Sequence, residues 1–332
     1  MAELQAVDRL EVRIVVDNVT DGLSSTPSFV DSEWNLLWKG GLPVMSGKCL
    51  CGAAHGLSCY VTAERAGMRR TLLFDTGPED AVFERNLWRL GLDPGAIETI
   101  VLSHGHWDHA GGMLRALDMI RQRNGGRPVP YYAHPDMFRS RATKRPDGGL
   151  APMEDVPDPR ALAQHGAEVV VTTEAQFILG GLALVSGEIP RVTPFEPGIP
   201  AQVRRTLDGT GWEPDTVVKD ERYVAVNVAG KGLVVFTACS HAGVVNVLTD
   251  ARTRFPGTRL HCVLGGLHLS GANEKVIPET VAALKGFDLG VIAAGHCTGW
   301  RALGALAAEF GDGVVAPLAV GKRFTFAAAG AA

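Results

Sequence analysis

The sequence predicts an α/β chain with two mainly β layers between helices, an arrangement that periodicity alone does not separate from a doubly wound sheet. Three observations predict it. Short apolar runs of strand length alternate with amphipathic segments of helix length, and that alternation restarts in the second half of the 332 residues. Strand after strand then ends on histidine beside glycine. With 46% hydrophobic and 20% charged residues, the chain is long enough to bury a sizeable core, in one large domain or two small ones.

Charge and cysteine usage narrow the function classes. Lys and Arg number 32 against 36 Asp and Glu, a net charge of -4 that gives no general support for binding nucleic acid or an anionic membrane. The basic cluster from Arg139 to Arg145 reads as solvated surface. No apolar run approaches the length of a membrane span, and Met1 to Leu10 shows no charged-then-apolar leader, so the expected address is cytoplasmic. Six cysteines are sparse for a disulfide framework, and reduced thiols are expected. Cys49-Leu50-Cys51 reads as loop thiols, with a structural or redox pair as the alternative.

Taken in order, Val12 to Val16 is a β-branched run ending at Asp17-Asn18, a buried first strand. From Thr20 to Gly56 the pattern dissolves into Gly, Ser and Pro interrupted by Trp34, Leu36, Leu37 and Trp38; this loop either lines a substrate pocket or packs against the core. Cys59 to Thr62 and Thr71 to Phe74 pair as a hairpin through Arg65-Ala66-Gly67. Asp75 follows at the strand end, where it either orients a metal-binding histidine through a hydrogen bond or serves as a turn residue. Pro78-Glu79-Asp80 opens a helix with Val82, Phe83, Leu87 and Leu90 as its apolar stripe, and Gly91 ends it. Ile100 to Leu102 is the next strand, and a helix runs from about Gly112 to Arg123.

Val129 to Ala133 ends at His134, which reads as a satisfied surface or core residue before it reads as a site residue. Ser140 to Asp158, rich in Pro, Gly and charge, looks like an excursion or lid. After a short helix ending near His165, strands recur at Glu168 to Val171, Gln176 to Ile178 and Leu182 to Val185. In the segment that follows, Glu188 and Arg191 either contact a polar or anionic substrate or pair with each other. Tyr223 to Val228 and Leu233 to Thr237 form a hairpin whose second strand empties into Cys239-Ser240-His241, ahead of a helix from about Val244 to Phe255. Leu260 to Leu264 ends at Gly265-Gly266-Leu267-His268, and Val291 to Ala294 at Gly295-His296-Cys297, before a helix through Phe310. One domain over 1–326 is expected, with inserted loops near 20–56 and 140–158 and a frayed tail over 327–332.

The chemistry concentrates in Ser103-His104-Gly105-His106-Trp107-Asp108-His109-Ala110-Gly111-Gly112. Three imidazoles and a carboxylate within six positions, at a strand exit, match the donor set that zinc and similar ions take. In an extended stretch His104 and His106 point the same way, and the turn after them sends Asp108 and His109 elsewhere. Three later strand-end histidines supply what this loop lacks. His104, His106 and His241 are assigned to one divalent ion, and Asp108, His109 and His296 to a second; His268 is a reserve ligand or a substrate contact. Zinc is the first expectation, and manganese or iron accepts the same ligands. Asp108 and His109 are also the expected catalytic groups, beside a water ionised at neutral pH.

This H-x-H-x-D-H pattern, with Leu72-Leu73-Phe74-Asp75-Thr76-Gly77 before it, resembles the signature of the metallo-β-lactamase superfamily. The resemblance implies an αββα sandwich with a dinuclear metal site at one edge of the sheets. A narrower likeness, to the dihydropterin-methyl ribofuranosylaminobenzene-phosphate synthase-like group, is carried by Val16-Asp17-Asn18, His55-Gly56-Leu57-Ser58, Leu102-Ser103-His104-Gly105-His106, Ser186-Gly187-Glu188-Ile189-Pro190-Arg191, Cys239-Ser240-His241-Ala242-Gly243, Gly265-Gly266-Leu267-His268-Leu269 and His296-Cys297-Thr298-Gly299. It implies displacement of pyrophosphate from a dihydropterin. The first expectation is a metal-dependent hydrolase acting on a small phosphoester or other anionic ester; a pterin-type transferase with the same metals is the alternative. A non-catalytic metal or redox-sensing module using Cys49, Cys51 and Cys239 is a third, which the intact ligand set opposes.

Overall fold

A computed structural model describes residues 3–328. Two sheets face each other, each covered by helices on its outer side. The first has eight strands built around Arg9–Val16, which pairs antiparallel with Ser58–Arg65 on one side and Arg323–Ala327 on the other. Met68–Phe74 closes the predicted hairpin, and Ile97–Val101, Val129–Ala133 and Ala167–Val171 then add in parallel. The second sheet runs in the order Gln176–Ile178, Ala183–Val185, Val224–Val228, Gly232–Thr237, Leu260–Gly266, Val291–Gly295, and its last three strands are parallel.

Three apolar layers hold this αββα sandwich together. Val12, Ile14, Val61, Leu72 and Phe74 of the first sheet meet Val226, Val234, Phe236, Leu264 and Ala293 of the second in the central layer. Helices Asp80–Arg89 and Met113–Arg123 cover the first sheet with Phe83, Leu87, Met113, Leu117 and Ile120, the stripes visible in the sequence. Val244–Arg254, Ile277–Leu284 and Trp300–Phe310 cover the second. Parallel strands carry their exits to one end of the molecule, so Asp75, the 103–109 loop, Cys239, His268 and His296 all leave the sheets on the same edge.

Three expectations are corrected. The 20–56 segment is not a structureless loop: it holds the edge strand Val30–Asp31 and the helix Glu33–Lys39, whose first turn is capped by the Ser32 hydroxyl accepting from the Asn35 N–H at 3.2 Å. The 140–158 excursion is half of a separate four-stranded sheet, in which Leu150–Pro152 pairs with Arg141–Lys144, Arg141–Lys144 with Gln202–Arg205, and Gln202–Arg205 with Trp212–Pro214. The tail is ordered at its start, since Ala327 pairs with Arg9 and the Ala328 N–H donates to the Asp8 carbonyl at 2.8 Å; 329–332 lie outside the described residues. Among the described residues, no helix is long and apolar enough to cross a membrane.

Candidate metal centre

The 103–109 loop is fixed before its histidines are considered. Asp75, in the left-handed region at φ 58°, turns its carboxylate back to accept from the Ser103 N–H at 2.8 Å and the Ser103 hydroxyl at 2.7 Å. On the other side, Asp220 accepts from the Gly105 N–H at 2.8 Å, and the Arg141 guanidinium donates to the Gly105 carbonyl at 2.9 Å. Glycine is required at 105, because a Cβ there would collide with the Arg141 guanidinium and the Met137 backbone.

Held this way, both proposed triads converge. His104 Nε2 lies 3.0 Å from His106 Nδ1 and 3.1 Å from His241 Nε2. Nitrogens sharing one zinc ion at about 2.0–2.1 Å in tetrahedral geometry lie about 3.3 Å apart, close to these separations. Asp108 Oδ2 lies 3.5 Å from His109 Nε2 and 3.4 Å from His296 Nε2. Cys239 Sγ sits 3.2 Å from both of those imidazole nitrogens and also within the group formed by His104 and His241.

Proton bookkeeping rules out an ordinary hydrogen bond between His104 and His106. The Ser103 hydroxyl gives its proton to Asp75, so it accepts from His104 Nδ1–H at 2.9 Å. His109 Nδ1–H donates to Asp75 at 2.8 Å, and His106 Nε2–H donates to the Gln202 carbonyl oxygen at 2.7 Å. Gln202 commits its amide N–H to Asp215 and Asn18 commits its own to the His296 carbonyl, so Asn18 Oδ1 accepts from His296 Nδ1–H at 3.0 Å. His104, His106, His109 and His296 each direct one ring N–H outward to an acceptor, whereas His241 Nδ1 is buried without a partner. Clustered lone pairs repel without a cation between them, and histidine ligands to metals are anchored in this manner. The donor set therefore fits one or two divalent ions.

Electrostatics separates the two halves. Burial, then the neighbouring His109, holds His104 well below the usual imidazole range; burial and Arg141 bring His106 down to about 4, and burial and His268 depress His241. These rings are neutral, as ligands must be. Burial would also lower His109, but Asp108 and Asp75 outweigh it and raise this ring to about 9. Asp108 is the reciprocal case: burial opposes its charge, yet His109 and His296 hold the carboxylate well below its ordinary range. One side offers three nitrogens, the other nitrogen and oxygen, with sulfur at both.

A cavity of about 430 Å³ opens over the cluster, lined among others by His55, Trp107, Met153, Ile199 and Ser270. His268 lines it too, with its ring centroid 4.4 Å from that of His241 and its buried Nδ1 without a partner. Glu188 and Arg191 do not line it. Glu188 bonds His134 Nε2 at 3.2 Å, while the Arg191 guanidinium donates to the carbonyls of Ile189, Val217 and Val218. They do not pair with each other, and Glu196 caps the helix Val244–Arg254 by accepting from the Val245 and Asn246 N–H groups at 2.8 and 3.0 Å. Trp34 to Trp38 are likewise absent from the cavity wall. Cys49 donates to the Ser46 carbonyl and Cys51 is buried beside Asn86, so neither joins the cluster.

Sequence reasoning gave Gln202 no role, quoted Asn18 only within a motif, and placed Cys239 only in the non-catalytic alternative. Cys239 stands two residues before His241, the spacing that pairs His104 with His106, and that signal was available. Nothing in the sequence marks Gln202, which reaches His106 from the separate small sheet.

The model of the Metallo-beta-lactamase superfamily matches residues 56–184. A 7,8-dihydropterin-6-methyl-4-(beta-D-ribofuranosyl)-aminobenzene-5'-phosphate synthase of Methanocaldococcus jannaschii is 29% identical over 260 residues, covering 77% of this chain and 85% of the relative. An uncharacterized protein of the same organism is 28% identical over 253 residues, covering 76% and 86%. The crystal structure of a metal-dependent hydrolase of the β-lactamase superfamily superposes with a TM-score of 0.69 at 21% identity, over 96% of this chain and 100% of that one. Two facing sheets between helices, with a His, Asp and Cys cluster at the shared edge of their strands, give this chain the metallo-β-lactamase fold.

Proposed function

We propose that the chain is a metal-dependent transferase that displaces pyrophosphate from a dihydropterin with the amine of an aminobenzene ribotide. The likeness to the archaeal synthase, over 77% of this chain, carries the reading. In this account His104, His106 and His241 hold one divalent ion and Asp108, His109 and His296 the other, with zinc as the first candidate. The bound ions supply Lewis acidity that stabilises charge developing on a departing oxygen. Asp75, Ser103, Gln202 and Asn18 keep the liganding rings in place, while His55, Trp107, Met153 and Ile199 offer a flat ring apolar and aromatic walls. Among the described residues no Lys or Arg lines this cavity, so the ions themselves would meet an anionic leaving group.

Hydrolysis of a small anionic ester is the second reading, favoured by the exposure of His55, whose side chain is 58% accessible at the cavity mouth and leaves water a route to Asp108. One experiment separates the two. Metal-loaded protein is given a dihydropterin pyrophosphate with and without the aminobenzene ribotide, and pyrophosphate is measured. Release that requires both compounds supports transfer; release with the pterin alone supports hydrolysis; no release from either contradicts both for this substrate class. His106→Ala should abolish whichever release is seen.

A further inference from the structure

Cys239 has no place in the two ligand sets read from the sequence, yet among the described residues its sulfur is common to three donor groups, with Asp108, His109 and His296, with His104 and His241, and with His268 and Cys297. It lies 3.2 Å from His109 Nε2 and 3.2 Å from His296 Nε2, and it also groups with His104 and His241. Paired ions at about 3.5–4 Å ordinarily share a ligand between them. The nearby carboxylates are committed elsewhere. Asp17 accepts from the His296 and Val19 N–H groups, Asp75 from Ser103 and His109, and Glu221 from the His241 and Ala242 N–H groups. Asp108 reaches His55, His109 and His296 and does not group with His104 and His241.

The backbone builds this position. Ser240, between Cys239 and His241, has φ 58°, and its hydroxyl is tied to Thr237 at 2.8 Å and donates to the Gly266 carbonyl at 2.9 Å. A non-glycine residue held in the left-handed region by two hydrogen bonds is a costly local arrangement. Its effect is to let residues two apart reach the same centre. Cys297 lines the same cavity, groups with Cys239 and His268, and donates its thiol to the Cys239 carbonyl at 3.5 Å.

We propose that Cys239 is a ligand shared by both ions, its thiolate sulfur bridging the His104/His106/His241 and Asp108/His109/His296 positions. The proposal rests on the metal-dependent reading but not on the substrate assigned there. On loading, the thiol proton leaves to solvent and the sulfur takes up two metal bonds. The structure thereby assigns the bridge to a soft donor where a carboxylate is the usual alternative.

X-ray absorption at the zinc edge of the intact chain, loaded with two zinc ions, tests this without any substitution. A bridge predicts one sulfur per zinc at about 2.3 Å; sulfur on one ion alone averages to half that count. Either half occupancy or no sulfur overturns the proposal while leaving the metal-dependent reading intact, and failure to bind zinc overturns both. Cys239→Ser should lose the sulfur signal and Cys297→Ser should keep it. Sulfur that persists in Cys239→Ser, or disappears in Cys297→Ser, also overturns the assignment.

Discussion

At the scale of single residues, the orientation of each imidazole matters as much as its presence. The Gln202 amide is buried, accepts from His106 Nε2–H and is locked by its own N–H to Asp215 at 2.9 Å, so His106 can offer only Nδ1 to an ion. Gln202→Leu removes that acceptor while keeping the volume, and loss of such an anchoring partner typically costs about 10–100-fold in metal affinity. Titration against a competing chelator should show that drop; unchanged affinity would contradict the role. A second residue-scale prediction concerns His261, remote from the cluster. Burial, with Lys231 and Arg259 nearby, lowers this ring to about 4, and its Nδ1 has no partner to welcome a proton. Because the folded value is depressed, the unfolded chain binds the proton more readily. The ring's contribution is complete above about pH 6.5 and is lost as pH falls through about 4. Relative to the native chain, His261→Leu should therefore show a flatter fall in melting temperature between those pH values.

At the scale of elements, the small sheet acts as a clamp on the histidine loop. Arg141, 1% exposed at its side chain, donates to Asp215 at 3.0 Å and to Asp220 at 2.7 Å while also holding the Gly105 carbonyl. Arg141→Met leaves the buried Asp220 without its cation and Asp215 with Arg204 alone at 3.6 Å, a loss of about 3–5 kcal/mol. Denaturant unfolding should report that loss, and the variant should also bind metal more weakly because its loop is freed; a change below about 1 kcal/mol would contradict the clamp. The strand-to-helix units were legible because long apolar stripes such as Phe83, Leu87 and Leu117 set the helices and β-branched runs set the strands. The small sheet was not, because its strands are three or four residues long and draw from segments 50 residues apart. Arg323–Ala327 did carry a signal, the alternation of Phe324 and Phe326 with Arg323 and Thr325, but its proximity to an alanine-rich end made it look like tail. In the site, the gathering of His104, Asp108, His109, His241 and His296 at one sheet edge was readable from spacing and strand ends. Asn18 and Gln202 were not, since an anchoring amide has no spacing rule.

At the scale of the molecule, the cluster staples two halves together. His104, His106, Asp108 and His109 follow a strand of the first sheet, and Cys239, His241 and His296 follow strands of the second. Ions bound between them would stabilise only the folded pairing of the sheets. At a thousandfold excess over the dissociation constant, one bound ion adds about 4 kcal/mol. Loading should raise the melting temperature and chelation reverse it; indifference of the transition to zinc would oppose a metal lying across both halves. The account as a whole depends on where the ions sit. Anomalous diffraction from crystals of the zinc-loaded chain, recorded on both sides of the zinc edge, measures that directly. Two peaks about 3.5–4 Å apart are predicted, one among His104, His106 and His241 and one among Asp108, His109 and His296. No peak, or peaks lying elsewhere, would contradict it.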